Sequence, residues 1–205
     1  MTLLNGSGVA RHFHRIAWLA VVLALGVIVF GAFVRLSHAG LSCPDWPTCY
    51  GRATWPKAVA DAAGHAASDI REFDGSRAWR EQVHRHLAAA LGLLVLILAL
   101  IGARRRRLGV AQVLGAAGLV GIAIPMYMHG EHGLASALAL LGEGILLAAA
   151  WRWSNGDLAR VSALTLAVII FQALLGMWTV TWLLKPIVVM GHLLGGLTTL
   201  GLLTW

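Results

Sequence analysis

Six stretches of the chain are apolar for long enough to cross a lipid bilayer as helices. Crossing the hydrocarbon core takes roughly 20 residues at a rise of about 1.5 Å per residue. Apolar runs close to that length lie at about 16–34, 83–103, 110–128, 133–151, 161–184 and 187–205. Strands of a closed barrel would alternate between apolar and polar residues, and these runs do not alternate. The pattern therefore predicts an all-α, polytopic bundle of about six transmembrane helices.

The first apolar run could be mistaken for part of a signal peptide. It follows Arg11 and Arg15, and the segment SHAG at 37–40 resembles a cleavage site. The run at 16–34 has about 19 residues, however, whereas the apolar part of a signal peptide has roughly 7–15. We therefore expect a retained anchor helix.

The composition excludes an ordinary soluble domain. Hydrophobic residues make up 59% of the chain and charged residues 12%, and the mean hydropathy is +0.76. The formal net charge is +7, but the arginines lie at the ends of apolar runs. A nucleic-acid binder carries its basic residues on a solvated face. We therefore predict no nucleic-acid partner and assign the arginines to membrane topology.

The basic residues of the short loops predict the orientation, because Lys and Arg mark the cytoplasmic side. Three clusters of them fall on one side of the predicted spans: Arg11 with Arg15, 104–107, and Arg152 with Arg160. This places the N-terminus in the cytoplasm and the long loop 36–80 outside. The sixth run stops at Trp205 without a polar flank, so we expect residues 1–205 to be the N-terminal half of a longer protein.

Two histidines on different spans are the main candidates for chemistry. His84 lies at the outer end of the second span, and His192 lies shortly after the start of the sixth. The topology brings them to similar depth near the outer surface, where two helix-borne imidazoles could hold one heme iron as axial ligands. In the alternative interpretation, each is an interfacial histidine bonded to a loop carbonyl. Neighbouring small residues favour the heme but also favour close helix packing.

Charged residues beside the two histidines could serve the same site. Arg85 and Lys185 could pair with heme propionates, or could simply extend toward water. Glu81 lies one helical turn before His84 and shares its face. Its carboxylate could accept a proton near the heme edge, or could be a solvated helix cap.

Cys43 and Cys49 are the two cysteines of the chain, and both fall in the outer loop. An oxidising compartment favours a disulfide between them, with a free or metal-binding pair as the alternative. His129 and His132 lie in an outer turn that we expect to be solvated rather than a metal site. Glu143 falls in the middle of a span, where we expect it to be protonated or paired inside the bundle.

Several long segments resemble the heme A synthase family of bacteria. They are GAFVRLS at 31–37, GLSCPDWPTCYG at 40–51, EQVHR at 81–85, QALLGMWTVT at 172–181, and the stretch from KP at 185–186 to HLLGG at 192–196. They occur in the family's order and cover the chain except for one stretch. That stretch, at about 110–151, looks like a helical hairpin inserted between the family's second and third helices.

The resemblance implies an oxidoreductase that oxidises a methyl group of heme O to the formyl group of heme A, for assembly of terminal oxidases. The family has two similar four-helix halves, each with a histidine pair. One half holds the substrate heme and the other a heme b cofactor. Carried over, His84 and His192 are the pair that holds iron in this half, Glu81 is the catalytic carboxylate, and Cys43 with Cys49 is the disulfide.

The resemblance also implies a multi-pass protein of the bacterial inner membrane, surrounded by lipid. Its expected ligands are heme O and heme A, with heme O synthase and oxidase assembly factors as candidate partners and a homo-oligomer as a further candidate. Because the second histidine pair is absent from 1–205, we expect this stretch alone to be inactive.

Three other functions remain open from the sequence. A cytochrome b-like carrier would use the same two histidines to hold a heme that only transfers electrons. A membrane thiol-disulfide protein would depend on Cys43 and Cys49 and not on the histidines. A non-catalytic assembly factor would account for the additional hairpin.

Overall fold

The chain is almost entirely helical in the computed structural model, which describes residues 7–62, 73–154 and 157–205. The helices, in chain order, are α1 (Ser7–Leu36), α2 (Val59–Ala62), α3 (Gly75–Ala103), α4 (Gly109–Met128), α5 (His132–Arg152), α6 (Leu158–Thr181) and α7 (Pro186–Thr204). Those residues contain no β-strand, although an isolated bridge joins Cys49 and Arg52. The predicted all-α class is confirmed.

Six helices in the described part of the chain are long and apolar enough to cross a membrane. They are Arg11–Leu36 within α1, together with α3, α4, α5, α6 and α7 over their full lengths. Each coincides with one of the six apolar runs. The predicted number of spans is therefore confirmed at the level of helix length and composition.

Helix α3 begins well before the apolar run that predicts it. The run starts at about 83, whereas the helix starts at Gly75. Asp74 caps this start, since its Oδ1 accepts hydrogen bonds from the main-chain N–H groups of Ser76 and Arg77 at 2.9 and 3.1 Å. The first turns are polar and pack against the outer loop rather than against lipid. Hydropathy alone therefore underestimates the length of the helix.

The loop between α1 and α3, which the sequence predicts to lie outside the membrane and which we call the outer loop, is correspondingly shorter than the predicted 36–80. It lies between the end of α1 at Leu36 and the start of α3 at Gly75, and its residues 63–72 are outside the described residues. Helix α6 ends at Thr181 rather than near 184. Leu183 and Leu184 then adopt positive φ angles of 51° and 57°, which turn the chain toward α7.

One compact unit comprises Met1–Leu23, Leu91–Phe171 and Thr198–Trp205. Within it, α4 and α5 form a closely packed hairpin connected by residues 129–131. A Cβ added at Gly142 of α5 would lie 2.9 Å from the carbonyl oxygen of Ala116 of α4. Small side chains let the two backbones approach in this way. The hairpin predicted at about 110–151 is therefore present as two helices, and its insertion relative to the family stays a prediction.

A second unit comprises Ala24–Ala90 and Gln172–Leu197. Its loop packs around a buried cluster of Cys43, Cys49, Tyr50, Ala62 and Ala78, with Trp55 and Phe73 against it. The side-chain amide of Gln82 on α3 donates to the carbonyls of Pro47 and Ala53, at 3.4 and 2.9 Å. The loop is thereby attached to the first turns of α3, the helix that carries His84.

Candidate heme site

The imidazole of His84 on α3 lies against α1. A Cβ built at Gly31 would lie 2.8 Å from His84 Cε1, so the ring occupies space that any side chain at Gly31 would need. The ring of Phe30 stacks on the imidazole, with centroids 6.5 Å apart and planes 20° apart. His84 Nδ1 is buried and has no hydrogen-bond partner. The ring is thus positioned by α1 while one of its nitrogens is left unsatisfied.

The imidazole of His192 on α7 lies against α6. A Cβ at Gly176 would be 3.5 Å from His192 Cε1, and the main-chain carbonyl of Gln172 is within hydrogen-bonding reach of the ring. His192 Nδ1 is also buried without a hydrogen-bond partner. A carbonyl beside the ring and a nitrogen left available are what a metal-binding histidine requires.

These two histidines belong to the same compact unit of the chain. More than nine in ten buried polar groups in proteins have a hydrogen-bond partner, so two unpartnered imidazole nitrogens together require an explanation. Coordination of a metal would satisfy both. Neutral imidazole is a common axial ligand of heme iron. The residues present therefore fit a heme held by His84 and His192.

Glu81, one turn before His84, is buried with 4% of its surface exposed. Its Oε2 accepts hydrogen bonds from the main-chain N–H groups of Ser42 and Cys43, at 2.7 and 2.9 Å. Its Oε1 accepts from Arg85 at 2.5 Å. The carboxylate therefore caps the backbone of the outer loop rather than a solvated helix end, and its catalytic role stays a prediction.

Arg85 holds the other side of the same loop. Its guanidinium donates to the carbonyls of Asp45, Thr48 and Cys43, at 2.7, 2.6 and 3.4 Å, in addition to Glu81. Its side chain is only 12% exposed, so it does not simply extend into water. Arg85 thus closes the loop onto α3, and a contact with a heme propionate stays a prediction.

Cys43 and Cys49 form a disulfide, and both residues are fully buried. Asp45, inside this small ring, accepts hydrogen bonds from the main-chain N–H groups of Tyr50 and Gly51, at 2.6 and 2.8 Å, and from the hydroxyl of Thr48. The disulfide that the sequence favours is therefore formed, in a loop segment that Asp45 stabilises from within.

Lys185 lies in the turn between α6 and α7 and is exposed. Its Nζ is 5.4 Å from the centroid of the Trp182 ring, a cation–π distance. Trp182 stacks in turn on Trp178, with centroids 5.1 Å apart. The aromatic pair holds the ammonium at the end of α6, and its pairing with a propionate stays a prediction.

The remaining polar candidates lie in the unit that contains the hairpin. His129 and His132 are exposed, and the His132 ring contacts that of Tyr127 with centroids 4.6 Å apart. Within the described ranges, no group of three or more His, Cys, Asp or Glu side chains could hold a metal ion. Glu143, expected to be protonated or paired, has a buried Oε2 without a hydrogen-bond partner, so no pairing is found through this atom.

Three residues of the site were missed by reasoning from the sequence: Phe30, Gly31 and Gln172. Gly31 and Gln172 fall inside the segments that carry the family resemblance, which was the available signal. Their roles depend on contacts between helices, because Gly31 meets α3 and Gln172 meets α7. Spacing along one helix does not reveal such contacts.

Comparisons with known proteins show which proteins the chain is related to. A family model described as cytochrome oxidase assembly protein matches residues 14–129 and 117–205. Heme A synthase from Shewanella oneidensis is 32% identical over 194 residues, which are 92% of this chain and 44% of that protein. The chain thus spans less than half the length of this relative. No solved structure matches it significantly.

The two matched stretches together cover the chain from residue 14 to its last residue. Six helices of membrane-spanning length agree with this relationship and make the chain a multi-pass membrane protein. The chain belongs to the cytochrome oxidase assembly protein family that includes the heme A synthases.

Proposed function

We propose that the chain is the substrate-heme-binding part of a heme A synthase, an oxidoreductase that converts a methyl group of heme O into the formyl group of heme A for terminal oxidases. The family relationship supports the activity. The observation that carries the site is the pair of buried, unpartnered imidazole nitrogens on α3 and α7 within one unit. His84 and His192 would hold the heme iron.

The protein's own residues would orient these ligands. Phe30 stacks on His84 and limits rotation of its ring, and the glycine at 31 leaves the space that the ring needs. The carbonyl of Gln172 would hold the His192 ring so that its other nitrogen faces the iron. Both ligands would then be positioned before heme binds, which lowers the ordering cost of binding.

The bound heme would supply the redox-active iron and the methyl group that is oxidised. Conversion of a methyl to a formyl group adds one oxygen atom from water and releases four electrons and four protons to acceptors. Glu81 is the proposed proton acceptor, because it lies one turn from His84 on the same helix. It would accept a proton at a carboxylate oxygen when a hydrogen bond from Arg85 or from the loop is released.

The heme propionates would face the outer loop, with Arg85 and Lys185 as the cations nearest to them. In this proposal the N-terminus is cytoplasmic, the membrane is the bacterial inner membrane, and the disulfide loop lies on the outer side. A heme b cofactor would occupy a second half of the complete protein. The arginine clusters at the opposite ends of the spans support this orientation.

Identification of the hemes bound to the protein tests the proposal. The full-length protein would be expressed with a heme O synthase, and the extracted hemes would be separated and identified by mass. We expect heme A with the wild type and none with His84→Ala or His192→Ala. His86→Ala is the matched control, because His86 is exposed on the same helix and should leave the product unchanged. A wild-type protein that holds heme but yields no heme A would indicate a cytochrome b-like carrier instead.

A further inference from the structure

The side-chain amide of Gln172 is a buried polar group for which the proposed reaction has no use. Gln172 lies near the middle of α6, and only 9% of its surface is exposed. The carboxamide nitrogen is buried and has no hydrogen-bond partner. An amide N–H left unsatisfied in an apolar interior costs free energy, and this cost is largest where no water can replace the missing acceptor.

The position of this amide places it beside the ligand helix. A Cβ added at Gly195 of α7 would collide with Gln172 Nε2 and approach its Cδ to 2.7 Å. Gly195 lies three residues after His192, so the two share one face of α7. Gln172 and Gly195 each lie nine residues from the helix ends at Thr181 and Pro186. The amide is therefore about one turn further from the α6–α7 turn than the imidazole.

The chemistry of heme O supplies an acceptor at that level. Charged propionates remain toward the aqueous side of a membrane-bound heme, because burying them unpaired is costly. The opposite edge of the macrocycle then faces the membrane interior. In heme O this edge carries a 1-hydroxyalkyl chain, whose hydroxyl lies on the carbon attached to the ring. Heme b has a vinyl group there and no polar atom.

We propose that Gln172 is a specificity residue that recognises heme O, with its carboxamide N–H donating a hydrogen bond to this hydroxyl. The inference rests on the proposed function, since it requires a heme between His84 and His192. A hydrogen bond to this hydroxyl would explain why the amide of Gln172 lies against Gly195 within the membrane-spanning part of the bundle. A site that hydrogen-bonds a hydroxyl discriminates against the analogue without it, because its own polar group is then left unpaired.

Two iron porphyrins that differ only in this feature provide the test. Iron haematoporphyrin carries 1-hydroxyethyl groups at the positions where iron mesoporphyrin carries ethyl groups. Each would be titrated into the purified protein in lipid nanodiscs, with the dissociation constant taken from the absorption band of the bis-imidazole complex. We expect the wild type to prefer iron haematoporphyrin by about tenfold, in the range of one hydrogen bond.

Gln172→Met keeps the length of the side chain and removes the donor, so the preference should fall to one or below. Its affinity for iron mesoporphyrin should stay near the wild-type value, which also shows that the variant is folded. Gln172→Asn, which withdraws the donor by one methylene, should lower the same ratio. Gln112→Met, the same change on α4, is the matched control and should keep the full preference.

The inference and the proposed function fail in different ways. If the wild type and Gln172→Met bind both porphyrins with the same ratio, the inference about Gln172 is wrong while the heme site stands. If the wild type forms no bis-imidazole complex with either porphyrin, the proposed function is wrong and this inference falls with it.

Discussion

Gly31 on α1 and His84 on α3 share one space: a Cβ at Gly31 would lie 2.8 Å from His84 Cε1, closer than non-bonded carbon atoms approach. The imidazole therefore lies directly on the backbone of α1. This contact sets where the ring can be, and it links the GAFVRLS segment to the histidine of the EQVHR segment.

Gly31→Ala should displace the His84 ring and weaken heme binding at least tenfold. The added methyl group cannot be accommodated without movement of the ring or of α1, and ligand geometry tolerates errors of only about 0.5 Å. Heme titration followed by absorption would measure the loss. Gly26→Ala is the matched control on the same helix, because nothing lies within 4 Å of a Cβ there. If Gly31→Ala and Gly26→Ala bound heme with equal affinity, the position of the His84 ring would not depend on its contact with Gly31.

Arg85→Lys should open the disulfide loop. A lysine has one charged nitrogen and cannot bridge three carbonyls and Glu81 as the guanidinium does. Since both cysteines are fully buried, a reductant reaches them only when the loop opens. Each hydrogen bond to a charged group contributes about 1.5–3 kcal/mol, so we expect reduction by a membrane-impermeant phosphine to be at least tenfold faster.

Thiol labelling over time would measure that rate. Arg77→Lys is the control, because Arg77 forms its ion pair with Asp74, on the same turn of the chain, and both side chains are largely exposed. If Arg85→Lys and the wild type are reduced at the same rate, the guanidinium does not hold the loop closed.

The start of α3 should depend on pH through Asp74. The pKa of this carboxyl is lowered from its usual 3.8, chiefly because the main-chain N–H of Arg77 donates to it, with Ser76 adding further hydrogen bonds. A lowered pKa in the folded state means that the cap stabilises the helix fully above about 3.8. This stabilisation is lost as the pH falls through the lower folded value.

Hydrogen exchange at the main-chain amides of Ser76 and Arg77 would measure how well Asp74 caps the helix, because both amides donate to its carboxylate. Their protection factors should be constant at neutral pH and fall in acid. Asp74→Ala should lower them about fivefold at neutral pH, which corresponds to the loss of about 1 kcal/mol for a cap, and should have no effect in acid, where the wild-type cap is already lost. Asp74→Asn keeps an acceptor that does not titrate, so its protection should not depend on pH. The same acid dependence in Asp74→Asn would show that another group is responsible.

The six helices could be predicted from the sequence because long apolar runs have no other stable form in a membrane. The polar start of α3 could not, since its first turns are buried against the outer loop rather than against lipid. Glu81 and Gln82 look like solvated residues by composition, yet both are buried by contacts with residues about 30 to 40 positions away. Hydropathy carries no information about such partners.

The candidate site was predicted in part. His84, His192 and the disulfide follow from helix depth and the family resemblance. The attachment of Arg85 to the loop does not, because a guanidinium at a membrane boundary has several possible partners of similar energy. The roles of Gly31 and Gln172 arise only when two helices pack together, so they require coordinates.

Electron paramagnetic resonance of the oxidised, heme-loaded protein tests the central claim most directly, because the signal reports both axial ligands of the iron. We predict two low-spin bis-imidazole components in the full-length wild type, one from this site and one from the heme b of the second half, and the loss of the same single component in His84→Ala and in His192→Ala. Survival of both components in either variant would contradict the assignment of these two histidines to one iron.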